Sequence, residues 1–317
     1  MGLAFNSTGN SVGIMGIGYD TNEAAYSVYP NIIDEMVSQG LITKKAYSLY
    51  LDDLQASTGS IIFGGIDTDK FSGNLAVLPV VPDDEDGTKE FIDLQVELTS
   101  YSITNQSGAI KNFTGSFTSG PALLDSGTTL TNLPDDLANE IFTSVGAVDD
   151  TNNSGNVFIN CDYLTAAPDM TFNYGFGNNT IIKVPVSELI SDLPEDTMTP
   201  DLPFSNACAF GLAGTGGGPT ILGDTFLRSA YVVYNLADNE IGLAQTNFNS
   251  MSSNIVEFDA NSTGIPNLTG VASSASTNTS DTSTSNAVAS ASPSGMSILV
   301  AFGILSTFTI HSTLLAF

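Results

Sequence analysis

In PALLDSGTTLTNLP, residues 121–134, the apolar residues Ala122, Leu123 and Leu124 lead to a single acid, Asp125. The chain then turns through Ser126, Gly127, Thr128 and Thr129 before becoming apolar again at Leu130 and Leu133. A carboxylate on a glycine turn can accept from nearby backbone N–H groups and hydroxyls, which stabilise its charged form. Thr128 is spaced to donate to one of its oxygens. Acid–base chemistry is open to such a group, and a lone acid raises the question of its partner. The same residues also fit an ordinary Asx-turn after a strand. On these residues alone both readings stand. A metal site is poorly supported, because two cysteines and one histidine lack the ligand clusters that zinc requires. The histidine, His311, lies in an apolar tail and is incidental.

Acidic residues number 34 against 7 Lys plus Arg, a formal net charge of −27. Phosphate neutralisation needs basic clusters, so nucleic acid is excluded as a partner. The acidic balance fits a solvating surface, and equally a protein working at low pH, where protonated carboxylates repel one another less. N-x-[ST] tripeptides at Asn6, Asn105, Asn112, Asn152, Asn178, Asn261, Asn267 and Asn278 favour a glycosylated secretory product. In that compartment a Cys161–Cys208 disulfide is the expected pairing, the alternative being two separate buried thiols.

The two ends point in different directions. Residues 249–295 shift to Ser, Thr, Asn and Ala, as in ASSASTNTSDTSTSNAVASASPSG. Such a segment buries too little apolar surface to offset its chain entropy, so a disordered stalk open to O-glycosylation is expected. It ends in MSILVAFGILSTFTIHSTLLAF, residues 296–317, long enough to span a bilayer. No Lys or Arg follows Arg228, so the positive flank of a permanent transmembrane helix is missing. Small residues at Ser285, Asn286 and Ala287, a polar spacer and the apolar tail match a GPI-attachment signal, with Ser285 or Asn286 as the attachment residue. At the other end MGLAFNSTGN has no basic n-region, sustained apolar h-region or cleavage site, and Asn6 breaks the myristoylation pattern. A surface destination without a leader gives the expectation that residues before Met1 are missing from this chain.

Between the ends lie short β-type runs punctuated by Gly, Pro, Asn and Asp: 60–65, 74–80, 90–98, 156–161, 169–174, 180–186, 219–223, 231–236 and 240–245. EFIDLQVEL alternates apolar and polar residues, as a half-buried antiparallel strand does. Helices are expected over 29–40, with Pro30 early and Gly40 as stop, and over 133–146, with Pro134 at the start and Gly146 at the end. The body is therefore expected to be all-β with few short helices.

Three features together resemble the pepsin-like aspartic proteases, and within them the fungal GPI-anchored yapsin-like and candidapepsin-like group. Leu123-Leu124-Asp125-Ser126-Gly127-Thr128-Thr129 fits that family's D-[TS]-G-[TS] turn. Ile221-Leu222-Gly223 looks like the apolar–apolar–Gly element that packs beside it. Cys161 and Cys208 fall where the C-terminal lobe commonly carries a disulfide. IIFGGIDTDKFSGNL, residues 61–75, also looks like the crossing between lobes.

The resemblance implies a bilobal acid protease fold with an incomplete N-terminal lobe, residues 1–66, and a complete C-terminal lobe, residues 67–248. It implies an aspartic endopeptidase, acting as a monomer on polypeptide substrates without a cofactor and held to the membrane by a GPI anchor. Asp125 would be one half of a proton-sharing carboxyl pair. Ser126 would help lock the two catalytic turns together, while Gly127, Thr128 and Thr129 would line the substrate cleft. The partner acid belongs upstream of the first lobe's apolar–apolar–Gly element, which Ile14-Met15-Gly16 matches. The residues before it, MGLAFNSTGNSVG, contain no Asp. Asp67-Thr68-Asp69 lacks the glycine and reads as an ordinary surface turn, while Tyr19 and Tyr26 fall too late to be the flap tyrosine. The chain as given is therefore expected to be inactive alone. Two other readings are a non-catalytic surface protein that uses a decayed protease lobe for binding, and self-association pairing two copies of Asp125.

Overall fold

The computed structural model describes residues 14–23, 26–56, 58–84, 87–115, 118–177, 179–194, 197–272 and 299–303. Ser285, Asn286, the remainder of the expected stalk after residue 272 and most of the apolar tail lie outside the described residues, as do Asn6, Asn178 and Asn278. The architecture is mostly β with few short helices, as the punctuated β runs imply. Among the described residues no helix is long and apolar enough to cross a membrane.

An antiparallel six-stranded sheet runs in the order Leu299–Gly303, Thr58–Phe63, Ala46–Tyr50, Ala230–Asn235, Glu240–Thr246, Phe71–Pro79. Its central strand Ala230–Asn235 is buried along its whole length, which is why the sequence AYVVYN does not alternate. One face packs into a continuous core that joins Ile33, Met36 and Tyr47 to Leu124, Leu222 and Leu243. Residues 32–63 therefore share one core with the Asp125 region. The other face carries a smaller cluster including Tyr50, Phe71, Tyr231, Phe258 and Ile265.

A second sheet runs Thr180–Pro185, Thr171–Phe176, Gln95–Thr104, Gly120–Leu124, Thr220–Leu222, Thr131–Leu133, Leu212–Gly214, with Ile110–Phe113 added beside Gln95–Thr104. The strand expected at 90–98 starts at Gln95 instead, and Phe91 is used against the Tyr19 ring, 6.5 Å away between centroids. Helix Ile32–Ser38 starts at Asn31, whose side chain accepts from the Ile33 and Asp34 N–H groups while Asp34 accepts from the Asn31 N–H. Helix Asp135–Val145 ends at Gly146, whose φ of 65° is the left-handed cap that glycine tolerates.

Residues 249–272 do not behave as the stalk expected from residue 249. Residues 249–272 form an ordered strap: Ile255–Glu257 pairs with Gly65–Asp67, and Phe258 and Ile265 are buried. The strap then runs along the outer edge of Phe71–Pro79. The Gly73 N–H donates to the Val271 carbonyl at 3.1 Å, Gly270 N–H to Gly73 O at 2.8 Å, and Leu75 N–H to Leu268 O at 3.0 Å. Lys44 and Lys70 staple it by donating to the Ser262 and Ser250 carbonyls at 2.7 and 2.6 Å. The composition concealed two apolar anchors among polar neighbours. Covering that edge also denies it to other chains.

Candidate active site

Asp125 sits at the end of the strand Gly120–Leu124, whose Ala122 and Leu124 are buried. That strand runs parallel to Thr220–Leu222, with Leu124 opposite Leu222, and the Asp125 N–H donates to the Leu222 carbonyl at 3.2 Å. The chain then reverses: Thr128 N–H donates to Asp125 O at 3.2 Å, and the return strand Thr131–Leu133 pairs antiparallel with Thr220–Leu222. The Asp125 carboxylate is held by both of its oxygens. Gly127 N–H donates to Oδ1 at 2.8 Å and the Thr128 hydroxyl to Oδ2 at 2.6 Å. Ser126, Gly127 and Thr129 are exposed around it. The Ser126 hydroxyl has no hydrogen-bond partner among the described residues.

Gly223 closes the turn from behind. A Cβ there would lie 2.3 Å from the Thr128 carbonyl oxygen and 2.4 Å from that of Leu130, so only glycine fits. Beyond it the Asp224 N–H donates to Thr128 O at 2.8 Å and the Thr225 N–H to Thr129 O at 3.1 Å. The Thr225 hydroxyl lies 2.9 Å from that of Thr131 and donates to the Gly211 carbonyl at 2.9 Å. The glycine element read from the sequence thus fixes the backbone on which the carboxylate rides.

Asp224, Tyr47 and Tyr234 also belong to this neighbourhood, and sequence reasoning missed them. Burial pushes the Asp224 carboxyl up to about 7, with Arg228 opposing the shift and the Asp125 charge adding to it. The Tyr47 and Tyr234 rings stack with centroids 4.7 Å apart, and the Tyr234 hydroxyl donates to Leu124 O at 3.4 Å. Burial raises both phenols, and the Asp125 charge raises them further. Asp224 directly follows Ile221-Leu222-Gly223, a position the sequence could have flagged. The tyrosines come from strands far apart in sequence, which no local pattern reveals. Arg228 is itself anchored by a buried ion pair, its Nε donating to Glu188 Oε2 at 2.7 Å.

Among the described residues no second carboxyl group is hydrogen-bonded to Asp125, and no group of three potential metal ligands occurs. Asp67 is a buried anchor, not part of a surface turn: its carboxylate accepts from the Ser253 hydroxyl at 2.6 Å and the Asn254 N–H at 2.8 Å, tying down the strap. Ile14 and Met15 are exposed at 86% and 42%. Tyr19 is buried and donates to Asn239 Oδ1 at 3.0 Å, whereas Tyr26 is fully exposed. Cys161 and Cys208 form a disulfide, Cα–Cα 5.2 Å, at the ends of the neighbouring strands Asn156–Asn160 and Ala207–Phe210.

The family model for eukaryotic aspartyl proteases matches residues 3–246. The chain is 38% identical over 275 residues to "Probable aspartic-type endopeptidase OPSB" of Arthroderma otae, covering 84% of this chain and 56% of that protein. It is 40% identical over 241 residues to "Candidapepsin-1" of Candida albicans, covering 76% and 55%. It is 39% identical over 248 residues to "Secreted aspartic protease 3" of the same species, covering 78% and 55%. The solved aspartic proteinase from Irpex lacteus superposes with a TM-score of 0.60 at 22% identity, over 80% of this chain and 74% of that one, a likeness of fold. The chain belongs to the eukaryotic aspartyl protease family. It spans about half the length of the curated relatives it matches.

Proposed function

We propose that this chain is part of an aspartic endopeptidase in which Asp125 is one member of a catalytic carboxyl pair. The observation that carries the reading is the Asp125 carboxylate, fixed through both oxygens on a turn whose outer residues are exposed. The second carboxyl is assigned to an equivalent turn in the part of the relatives' length that this chain does not span. The unbonded Ser126 hydroxyl is then available to bridge to that turn.

Two facing carboxyls cannot both ionise cheaply, so they share a proton. The charged member takes a proton from a water held between them as the water oxygen bonds to the peptide carbonyl carbon. The protonated member donates to the carbonyl oxygen. Collapse of the resulting diol breaks the C–N bond, with the amine leaving as it gains a proton. The substrate is a polypeptide lying across Gly127, Thr128 and Thr129, and the step uses no cofactor. The enzyme acts as a monomer in an acidic setting outside the cell, held by a GPI anchor at Ser285 or Asn286. The disulfide and the likeness to a relative named as a secreted aspartic protease support the extracellular setting. In domain terms residues 67–248 are the C-terminal lobe, now joined by the strap to 272, and residues 1–66 belong to the N-terminal one.

Reconstitution tests the reading. Co-expressing this chain with the N-terminal half of the Arthroderma otae relative should give hydrolysis of an unfolded protein at about pH 4, and Asp125→Asn should remove it. Undiminished hydrolysis by the Asp125→Asn pair would falsify the assignment.

A further inference from the structure

The hairpin between strands Gln95–Thr104 and Ile110–Phe113 carries Asn105-Gln106-Ser107 at its tip. Asn105 is exposed and its side-chain oxygen is committed. Oδ1 accepts from the Ser107 N–H at 3.0 Å, the Ser107 hydroxyl at 2.8 Å and the Ala109 N–H at 3.0 Å. Its amide nitrogen makes no hydrogen bond among the described residues. Gln106 braces the tip sideways: its Nε2 donates to Asp169 Oδ2 at 2.7 Å, and its Oε1 accepts from the Asp169 N–H at 2.8 Å.

Beside this tip lies an open depression of about 480 Å³. Its apolar lining is Ile103, Ile110, Val145, Tyr163, Ala167 and Met170, and Asn105 itself forms part of the wall. That volume falls within the roughly 300–1,000 Å³ range of small-ligand sites. The Tyr163 ring is held in place because its hydroxyl donates to the Val145 carbonyl at 3.0 Å. An apolar wall with a fixed aromatic ring and a polar rim suits a pyranose, which is apolar on its C–H face and polar at its edges. Asn112, Asn152, Asn261 and Asn267 are also exposed sequon asparagines, yet none of them lines this depression.

We propose that Asn105 carries an N-linked glycan whose first sugars seat in this depression. The proposal rests on the secretory setting given above. The attachment is a transfer from a lipid diphosphate-linked oligosaccharide by the host's transferase. The Asn105 Nδ2–C1 bond forms as the C1–O bond to the diphosphate breaks, the Nδ2 proton passes to a base, and the diphosphate leaves with the electron pair.

The test uses the full chain expressed behind a secretion leader in a glycosylating yeast, with peptide mapping after enzymatic deglycosylation in heavy-oxygen water. Asn105 should be marked as modified. Asn105→Gln also removes loop hydrogen bonds, so its melting shift is compared with the same substitution in glycan-free chain from bacterial periplasm. The loss should be about 2–4 °C larger in the glycosylated chain. Equal losses would overturn the seating. Asn105 bare beside modified Asn152 or Asn267 would overturn the proposal while leaving the secretory setting intact. A chain with no modified sequon would overturn both.

Discussion

Replacing Gly223 with alanine puts a methyl carbon 2.3 Å from Thr128 O, 2.4 Å from Leu130 O and 2.9 Å from the Thr128 carbonyl carbon. All three atoms are backbone, so no side chain can swing aside. Relief requires the Thr128–Leu130 segment to move away, which strains or breaks the Asp224 N–H bond to Thr128 O at 2.8 Å. Overpacking of this kind costs about 1–3 kcal/mol, and a lost backbone hydrogen bond adds about 1 kcal/mol. A total of about 2–4 kcal/mol corresponds to a Tm fall of roughly 4–8 °C, at about 2 °C per kcal/mol for a folded region of this size. Thermal unfolding followed by circular dichroism measures it. Gly16→Ala serves as the control, because nothing lies within 4 Å of a Cβ there. A Gly223→Ala chain melting within about 1 °C of the parent would refute the claim that this glycine fixes the Asp125 turn.

Three further outcomes are expected. The disulfide closes a separation of 47 residues, so replacing Cys161 and Cys208 with serine should cost about 4 kcal/mol by loop entropy, read from chemical denaturation. Asp224 is raised from 3.8 to about 7, so across that window the folded chain holds a proton the unfolded chain has lost. Stability should therefore fall as pH rises from about 4 to 7, and Asp224→Asn should flatten the profile; a profile the substitution leaves unchanged would count against it. A chain stopped at residue 248 loses the burial of Phe258 and Ile265, about 3–6 kcal/mol, and uncovers the Phe71–Pro79 edge. It should aggregate more in size exclusion than a chain stopped at residue 272; both lose Leu299–Gly303, so the difference between them reports the strap alone.

Local chemistry was legible where it depends on neighbours in the chain. The Thr128-to-Asp125 spacing, the Gly146 cap and the alternation of Val96 and Leu98 each express an interaction within a few residues. What stayed hidden depends on distant strands. Tyr47 and Tyr234 meet only because Ala46–Tyr50 pairs with Ala230–Asn235. Asp67 gains its partners from residues Ser253 and Asn254, and without them it reads as a surface acid. The strap was hidden for a different reason: low average apolarity over 249–295 outweighed Phe258 and Ile265, although two buried side chains and a row of edge hydrogen bonds suffice to order it.

The requirement for a second carboxyl from outside this chain is tested most directly with the purified chain by itself. Its initial rate on an acid-unfolded protein at about pH 4 is compared with that of its Asp125→Asn variant. The two rates should be indistinguishable, since a single member of the pair cannot both activate water and protonate the carbonyl oxygen. Hydrolysis by the parent chain that disappears in the variant would contradict the account, because Asp125 would then be working without the second carboxyl that the proposal assigns elsewhere.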